Sequence, residues 1–243
     1  MNYLIYDIHC HVLPGVDDGA RNEESTERML RMATKHRIGA IVATPHFSSE
    51  MSKEKTEEVK KKYQLVRDWW MEMNPKHEFY LGNELYYGEG VIDALDEGRA
   101  LTMNGTRYVL VEFPTYVEYS YIYRAVQNFL YASYIPIIAH MERYEHLHKK
   151  AHVRELVEMG AYMQVNAATV TGKHGFFAKL RIVRLMKEGL IHFVGTDAHG
   201  ARERRPEMRE CVEYMIKKLG KKKARQILEK NPMAMLKGEE IDE

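Results

Sequence analysis

The chain has 243 residues and is poor in cysteine: it has only Cys10 and Cys211, far apart. No disulfide framework follows from such a pair, and a reducing, cytoplasmic setting is expected. Charge excess is also missing, with 36 Lys and Arg against 35 Asp and Glu. Nothing in that balance marks a nucleic-acid or membrane partner. No apolar run approaches the roughly 18 residues of a membrane helix. The first residues lack the basic region and apolar stretch of a signal peptide. Internal repeats, low-complexity segments and linkers are absent too. What remains is 45% apolar and 29% charged, the composition of a soluble globular protein. One domain over residues 1–243 is expected, with a frayed acidic tail from about residue 237.

What is present is a rhythm. Seven β-branched or aromatic runs recur: YLIYDIHCH, GAIVATPH, HEFYLGNEL, RYVLVEFP, YIPIIAHME, AYMQVNA and IHFVGTDAH. Helical periodicity fills the gaps. NEESTERMLRMATKHRI places Met29, Met32 and Ala33 on one face, with Asn22 or Ser25 as cap and Gly39 as terminator. KEKTEEVKKKYQLVRDWWMEMN carries Val59, Tyr63, Val66 and Trp70 on one stripe. Further helices are predicted at about 118–133, 147–159, 177–188, 206–219 and 221–230. Strands alternating with helices imply parallel pairing and right-handed crossovers, as a barrel or an open doubly wound sheet.

The polar residues favour the barrel. Six of the seven strands end in a residue able to bind metal: His9 and His11, His46, Glu84, Glu112, His140, then Asp197 with His199. The remaining one ends in Asn166. In a barrel these ends converge on one face, whereas an open sheet spreads them along an edge. Each residue alone reads as an ordinary polar group, and Glu84 or Glu112 could meet an arginine. Six repetitions of one placement are explained once by metal coordination. His9 and His11, two apart on a strand, share a face; Cys10 points the other way, into the layer between barrel and helices. Asp7, on the His9 face, is either a partner of a ligating imidazole or a buried cap of the barrel floor. His36, His77, His146, His152 and His192 read as structural, and His148 and His174 as rim residues at most.

DIHCH, LPGVDDGA, TPH, GNEL, VEFP, IIAHMERY and TDAH, in order from about residue 3 to residue 206, resemble the bacterial protein-tyrosine phosphatases of the PHP (polymerase and histidinol phosphatase) superfamily. Those are manganese-dependent enzymes associated with capsule and exopolysaccharide synthesis. The resemblance implies an α/β fold, a distorted (β/α)7 TIM-like barrel of PHP type in a single domain. It also implies three divalent metal ions, manganese first, iron or zinc as alternatives. His9 and His11 would hold one ion with Glu84 and Asp197. Glu84 would bridge to a second, shared with His46 and Glu112. Asp18, His199 and His140 would serve the third. Asp18 rests on the resemblance, because DDG by itself reads as a turn. Arg143 of MERY and Arg205 before Pro206 match the family's phosphate-binding arginines, with Arg204 and Arg202 competing for the second place. Asp18 and His199 join the arginines as catalytic residues. Met141 stands where the family has proline.

The implied reaction is hydrolysis of phosphotyrosine by a metal-activated hydroxide. Its substrate would be a phosphotyrosine protein, the tail of a bacterial tyrosine kinase controlling polysaccharide export. Three divalent ions carry six positive charges and Asp18, Glu84, Glu112 and Asp197 return four, a balance that favours a phosphoryl dianion. A phenolate leaving group, with a pKa of roughly 10, needs no strong general acid. A thiol-based phosphatase needs arginine six positions after cysteine, but Val16 and Lys217 stand there. The alternatives are a phosphatase of a small phosphoester such as histidinol phosphate, and an inactive metal-stabilised interaction module.

Overall fold

A computed structural model describes residues 4–241; Asp242 and Glu243, the end of the acidic tail, lie outside them. Nine parallel strands occupy the seven expected runs: β1 (Ile5–Cys10), β2 (Ile38–Ala43), β3 (His46–Phe47), β4 (Glu78–Leu81), β5 (Glu84–Tyr86), β6 (Tyr108–Glu112), β7 (Ile135–Ile138), β8 (Tyr162–Asn166) and β9 (Phe193–Gly195). The second and third runs are each split. Pro45 separates β2 from β3: it has no N–H to give to the ladder, and its carbonyl accepts from Asn83 Nδ2 at 2.9 Å and Glu84 N at 3.1 Å. Gly82 and Asn83 separate β4 from β5.

Pairing runs β1-β2-β4, then β3-β5-β6-β7-β8-β9. The two sets join through Gly82 N to Ala43 O (2.9 Å), and the ring closes where Asp197 N donates to His9 O (2.8 Å) and His11 N to Ala198 O (2.9 Å). The structure is therefore a closed, distorted parallel barrel with seven strand positions.

Ten α-helices lie among the described residues: α1 (Glu23–Lys35), α2 (Lys53–Met73), α3 (Val91–Asp96), α4 (Tyr119–Tyr131), α5 (Lys150–Met159), α6 (Ala167–Thr171), α7 (Phe176–Lys187), α8 (Arg209–Leu219), α9 (Lys221–Arg225) and α10 (Asn231–Lys237). Asn22 Oδ1 caps α1 by accepting Ser25 N at 3.0 Å. Gly39 does not end that helix. The helix stops at Lys35, Arg37 takes a left-handed φ of 64°, and Gly39 lies in β2. Its hydrogen makes room for Leu4, whose Cδ2 would stand 2.4 Å from a Cβ. The α2 stripe packs as its spacing predicts: Val59, Val66 and Trp70 are buried, with Trp70 Nε1 donating to Glu78 O at 3.1 Å.

Two apolar layers result. Cys10, Ile41, Val109, Val111, Ile138, Met163 and Val165 pack outward against the helices. Tyr6, Ile8, Ala40, Val42, Leu110, Ile137 and Phe193 pack together with Met235 and Leu236 of α10. The helical reading ended at residue 230 and missed α10, because a π-turn at Gln226–Lys230 interrupts the periodicity. Pro232 in its first turn is the start signal. The tail beyond α10 is anchored at its start: Glu239 O accepts from Tyr108 Oη at 2.8 Å.

Candidate metal centre

The strand ends on the opposite side from α10 gather the chemistry. His9 is in β1 with His11 just past it; His46 opens β3, Glu84 opens β5 and Glu112 closes β6. His140 follows β7, and Asp197 and His199 follow β9. Asp18 comes from the loop after β1. Three groups form, within each of which potential ligand atoms lie within 4.8 Å of one another: His9, His11, Glu84 and Asp197; His46, Glu84 and Glu112; and His11, Asp18, His46 and His199. His140 stands apart from Asp18 and His199. Its Nε2 lies 2.8 Å from Glu84 Oε1 and 3.3 Å from Glu112 Oε1, which puts it with the second group instead of the third.

The hydrogen bonds behind the rings say what faces the centre. Gln164 Oε1 accepts the His140 backbone N–H at 2.6 Å, and Gln164 Nε2 donates to Asn166 Oδ1 at 3.0 Å. The oxygen of that amide therefore meets His9 Nδ1 at 3.2 Å, and His9 must carry its proton on Nδ1. His11 Nδ1 faces Asp17 Oδ2 at 2.8 Å, so it too is the donor. The two Nε2 atoms then face each other across 3.2 Å, and each offers a lone pair to the centre once its ring is neutral. Glu84 Oε2 sits 3.1 Å from His9 Nε2, 3.2 Å from His11 Nε2 and 3.1 Å from His46 Nδ1, yet it is buried without a hydrogen-bond partner. His199 Nε2 is orphaned in the same way, while its Nδ1 lies 3.0 Å from Asp197 O. Converging lone pairs with buried, unpaired acceptors are costly unless something positive sits among them. A mixed imidazole and carboxylate set suits borderline to hard divalent ions, and the residues fit that cargo.

With its own charges alone, the site balances electrostatically through protons. Burial disfavours the charged form of His11, but Asp17 and Glu84 outweigh it and push the ring up to about 10. His140 goes up to about 9 against its burial through Glu112 and Glu84. Burial, then the His11 and Arg204 charges, push His199 down to about 3. Burial raises the Glu84 and Asp197 carboxyls, yet the neighbouring histidines, and Arg143 at Asp197, hold both well below the usual range. Metal must displace these protons to bind.

Arg143 Nη2 is ion-paired to Asp197 Oδ2. The second arginine on Asp197 is Arg204, at 2.5 Å from Oδ1, and not Arg205, whose Nη2 turns to Glu207 Oε1 at 2.8 Å. The loop explains the exchange: Arg204 has a left-handed φ of 44° and its carbonyl accepts His199 N at 2.9 Å, folding the loop back over the site. Beside the metal-binding groups lies a cavity of about 990 Å³, lined among others by Arg143, Arg204, Arg205, Arg202, His148 and His174.

Asp7 touches no imidazole ring. It accepts Thr196 N at 2.8 Å and Thr196 Oγ1 at 2.5 Å, tying β1 to the segment after β9, and the β1 register against β2 shifts just beyond it. The ring partners are Asp17 and Gln164, both outside the sequence-based assignment. In the sequence Asp17 is marked only by its place in DDG, and Gln164 is one more residue of a strand.

The fold and this mouth define a parallel α/β barrel with a site able to hold divalent metal. More particularly, the chain belongs to the CpsB/CapC family, described as capsular polysaccharide synthesis, whose pattern matches residues 5–237. It is 31% identical over 236 residues to tyrosine-protein phosphatase CpsB of Streptococcus pneumoniae, covering 95% of this chain and 97% of that one. It is 34% identical over 221 residues to tyrosine-protein phosphatase YwqE of Bacillus subtilis, covering 88% and 85%. A crystal structure from work on those two proteins, described as unique metal-dependent tyrosine phosphatases, superposes with a TM-score of 0.88 at 29% identity, over 98% of this chain and 96% of that one.

Proposed function

We propose that this protein is a metal-dependent protein-tyrosine phosphatase that acts in the cytoplasm on the phosphotyrosine tail of a bacterial kinase controlling capsular polysaccharide synthesis. The observation that carries the reading is the meeting of the His9 and His11 lone pairs with orphaned Glu84 Oε2 beside two arginines on Asp197. Three ions, manganese foremost, would suit the three groups: His9, His11, Glu84 and Asp197 would hold one, His46, Glu84 and Glu112 with His140 a second, and Asp18, His199, His11 and His46 a third. Bound there, divalent ions supply Lewis acidity and a lowered water pKa.

The chain's own residues do the rest. Asp17 and Gln164 keep the protons of His11 and His9 on Nδ1, so each Nε2 faces the centre. Arg143 and Arg204 stand where charge-assisted hydrogen bonds hold phosphoryl oxygens and balance the charge that builds on them. The four carboxylates Asp18, Glu84, Glu112 and Asp197 leave three divalent ions short of neutral, which selects a dianionic substrate. A tyrosine phenolate departs without a strong acid, in keeping with the lack of an assigned proton donor.

The test is metal content per chain together with turnover. Protein stripped by chelator and reloaded with manganese is expected to hydrolyse a phosphotyrosyl peptide and to prefer it over histidinol phosphate. Faster turnover of histidinol phosphate assigns a small-molecule phosphatase instead. Inactivity with every divalent ion leaves a metal-stabilised interaction module.

A further inference from the structure

The cavity of about 990 Å³ is at the top of the range for small-molecule pockets, and larger than a phosphotyrosine ring needs. Its basic residues fall into two sets. Arg143 and Arg204 sit on Asp197, while Lys173 and Arg205 sit on Glu207. Arg181 and Arg202 also line it, and neither makes a hydrogen bond or ion pair among the described residues. Arg181 feels the charge of the buried carboxylate of Glu142, whose Oε1 accepts from Asn166 N and Thr169 Oγ1, each at 2.8 Å, while its Oε2 has no hydrogen-bond partner among the described residues. The other acid of the wall, Glu210, lies toward His36.

The helix that carries Arg181 also exposes apolar side chains. Phe176 is 65%, Phe177 82% and Leu180 48% exposed, interleaved along α7 with Ala178 and Arg181 of the cavity wall. Large apolar side chains exposed together on a helix that walls a cavity mark contact with a macromolecule. Two free guanidiniums next to them select acidic groups on that macromolecule.

We infer that this cavity seats the polypeptide around the phosphotyrosine, with Arg181 and Arg202 binding the carboxylate of an acidic residue flanking it and Phe176 and Phe177 packing on the same segment. The inference rests on the phosphatase reading and adds a sequence preference to it. Association should weaken with salt, because both guanidiniums meet solvent.

The experiment measures binding as well as turnover. Two fluorescent peptides carry a non-hydrolysable phosphonate in place of phosphotyrosine, one with Glu on both sides and one with Gln at the same positions. Fluorescence anisotropy with the manganese-loaded full chain is expected to show the Glu peptide binding about tenfold tighter. In Arg181→Gln and Arg202→Gln, checked for wild-type melting, that ratio should fall toward one. In turnover of the matching phosphotyrosyl peptides the preference should appear in KM and not in kcat. Equal affinity for the two peptides, or a ratio unmoved in both variants, overturns the inference whatever the turnover. A Glu preference in binding, lost in the variants, with no hydrolysis of either peptide, upholds the subsite and sinks the phosphatase reading.

Discussion

Asp17→Ala removes the carboxylate that fixes His11 without replacing a candidate ligand. The side chain is 3% exposed and fully used: Oδ2 accepts His11 Nδ1 at 2.8 Å and His46 N at 3.1 Å, and Oδ1 accepts Gly19 N at 3.0 Å. Without it the His11 ring loses its tautomer and its aim, and the backbone of His46 loses an anchor. Groups that hold a ligating histidine from behind typically account for a 10- to 100-fold change in metal affinity. With all three bonds made and the group buried, the upper part of that range is expected, about 30- to 100-fold, or about 2–2.7 kcal/mol. Titration of chelated protein with manganese, followed calorimetrically, reads both affinity and stoichiometry. Asp18→Ala is the control next door, because Asp18 Oδ1 lies 3.3 Å from His46 Nε2 and 3.2 Å from His199 Nε2 as a candidate ligand. Asp17→Ala should weaken binding at unchanged stoichiometry; Asp18→Ala should lose an ion. Affinity within twofold of wild type in Asp17→Ala, or the two stoichiometries reversed, refutes the reasoning.

Three further outcomes are expected. Chelation should lower Tm: a metal present at about 100 times its Kd contributes roughly 2.7 kcal/mol, about 5–10 °C in a chain of this size, and equal melting curves with and without EDTA would contradict metal binding by the folded state. Burial pushes His192 down to about 4 while Nδ1 accepts Met163 N at 3.1 Å; the unfolded chain takes up this proton near pH 6.5 and the folded chain only near 4, so about 2–3 kcal/mol present above pH 6.5 drains away as pH falls through that window, and urea titrations should show a flatter acid limb in His192→Gln. Gly195→Ala would put a Cβ 2.6 Å from the His9 Cβ and 3.2 Å from its backbone N, so a loss of about 3 kcal/mol and weaker metal retention are expected, checked by denaturation and metal analysis after gel filtration.

Much of the site was legible because ligands at strand ends need only the alternation of elements to be recognised. His9, Glu84, Glu112, His140 and Asp197 each follow or open an apolar run, and a closed barrel has one place for such ends to meet. Residues that act through a neighbour carry no such signature. Asp17 and Asp18 are equivalent in a turn, and only the fold shows which faces His11 and which faces His199. Gln164 reads as one more strand residue until its amide is seen between His9 and His140. Arg204 and Arg205 differ by a single left-handed residue in an irregular loop, which no periodicity encodes. The placement of His140 beside Glu84 and Glu112 is hidden for a related reason: strand order gives neighbours around the ring, not which way a side chain leans from the turn after β7.

The seam between β1 and β9 has a consequence for biosynthesis. His9 O is met by Asp197 N, and both side chains belong to one metal-binding group. In that group His9 and His11 are synthesised long before their acidic partners Glu84 and Asp197. That group is complete only once Asp197 has been made, about four-fifths of the way along the chain, so a chain halted short of residue 197 lacks both one member of the group and the hydrogen bond that closes the ring.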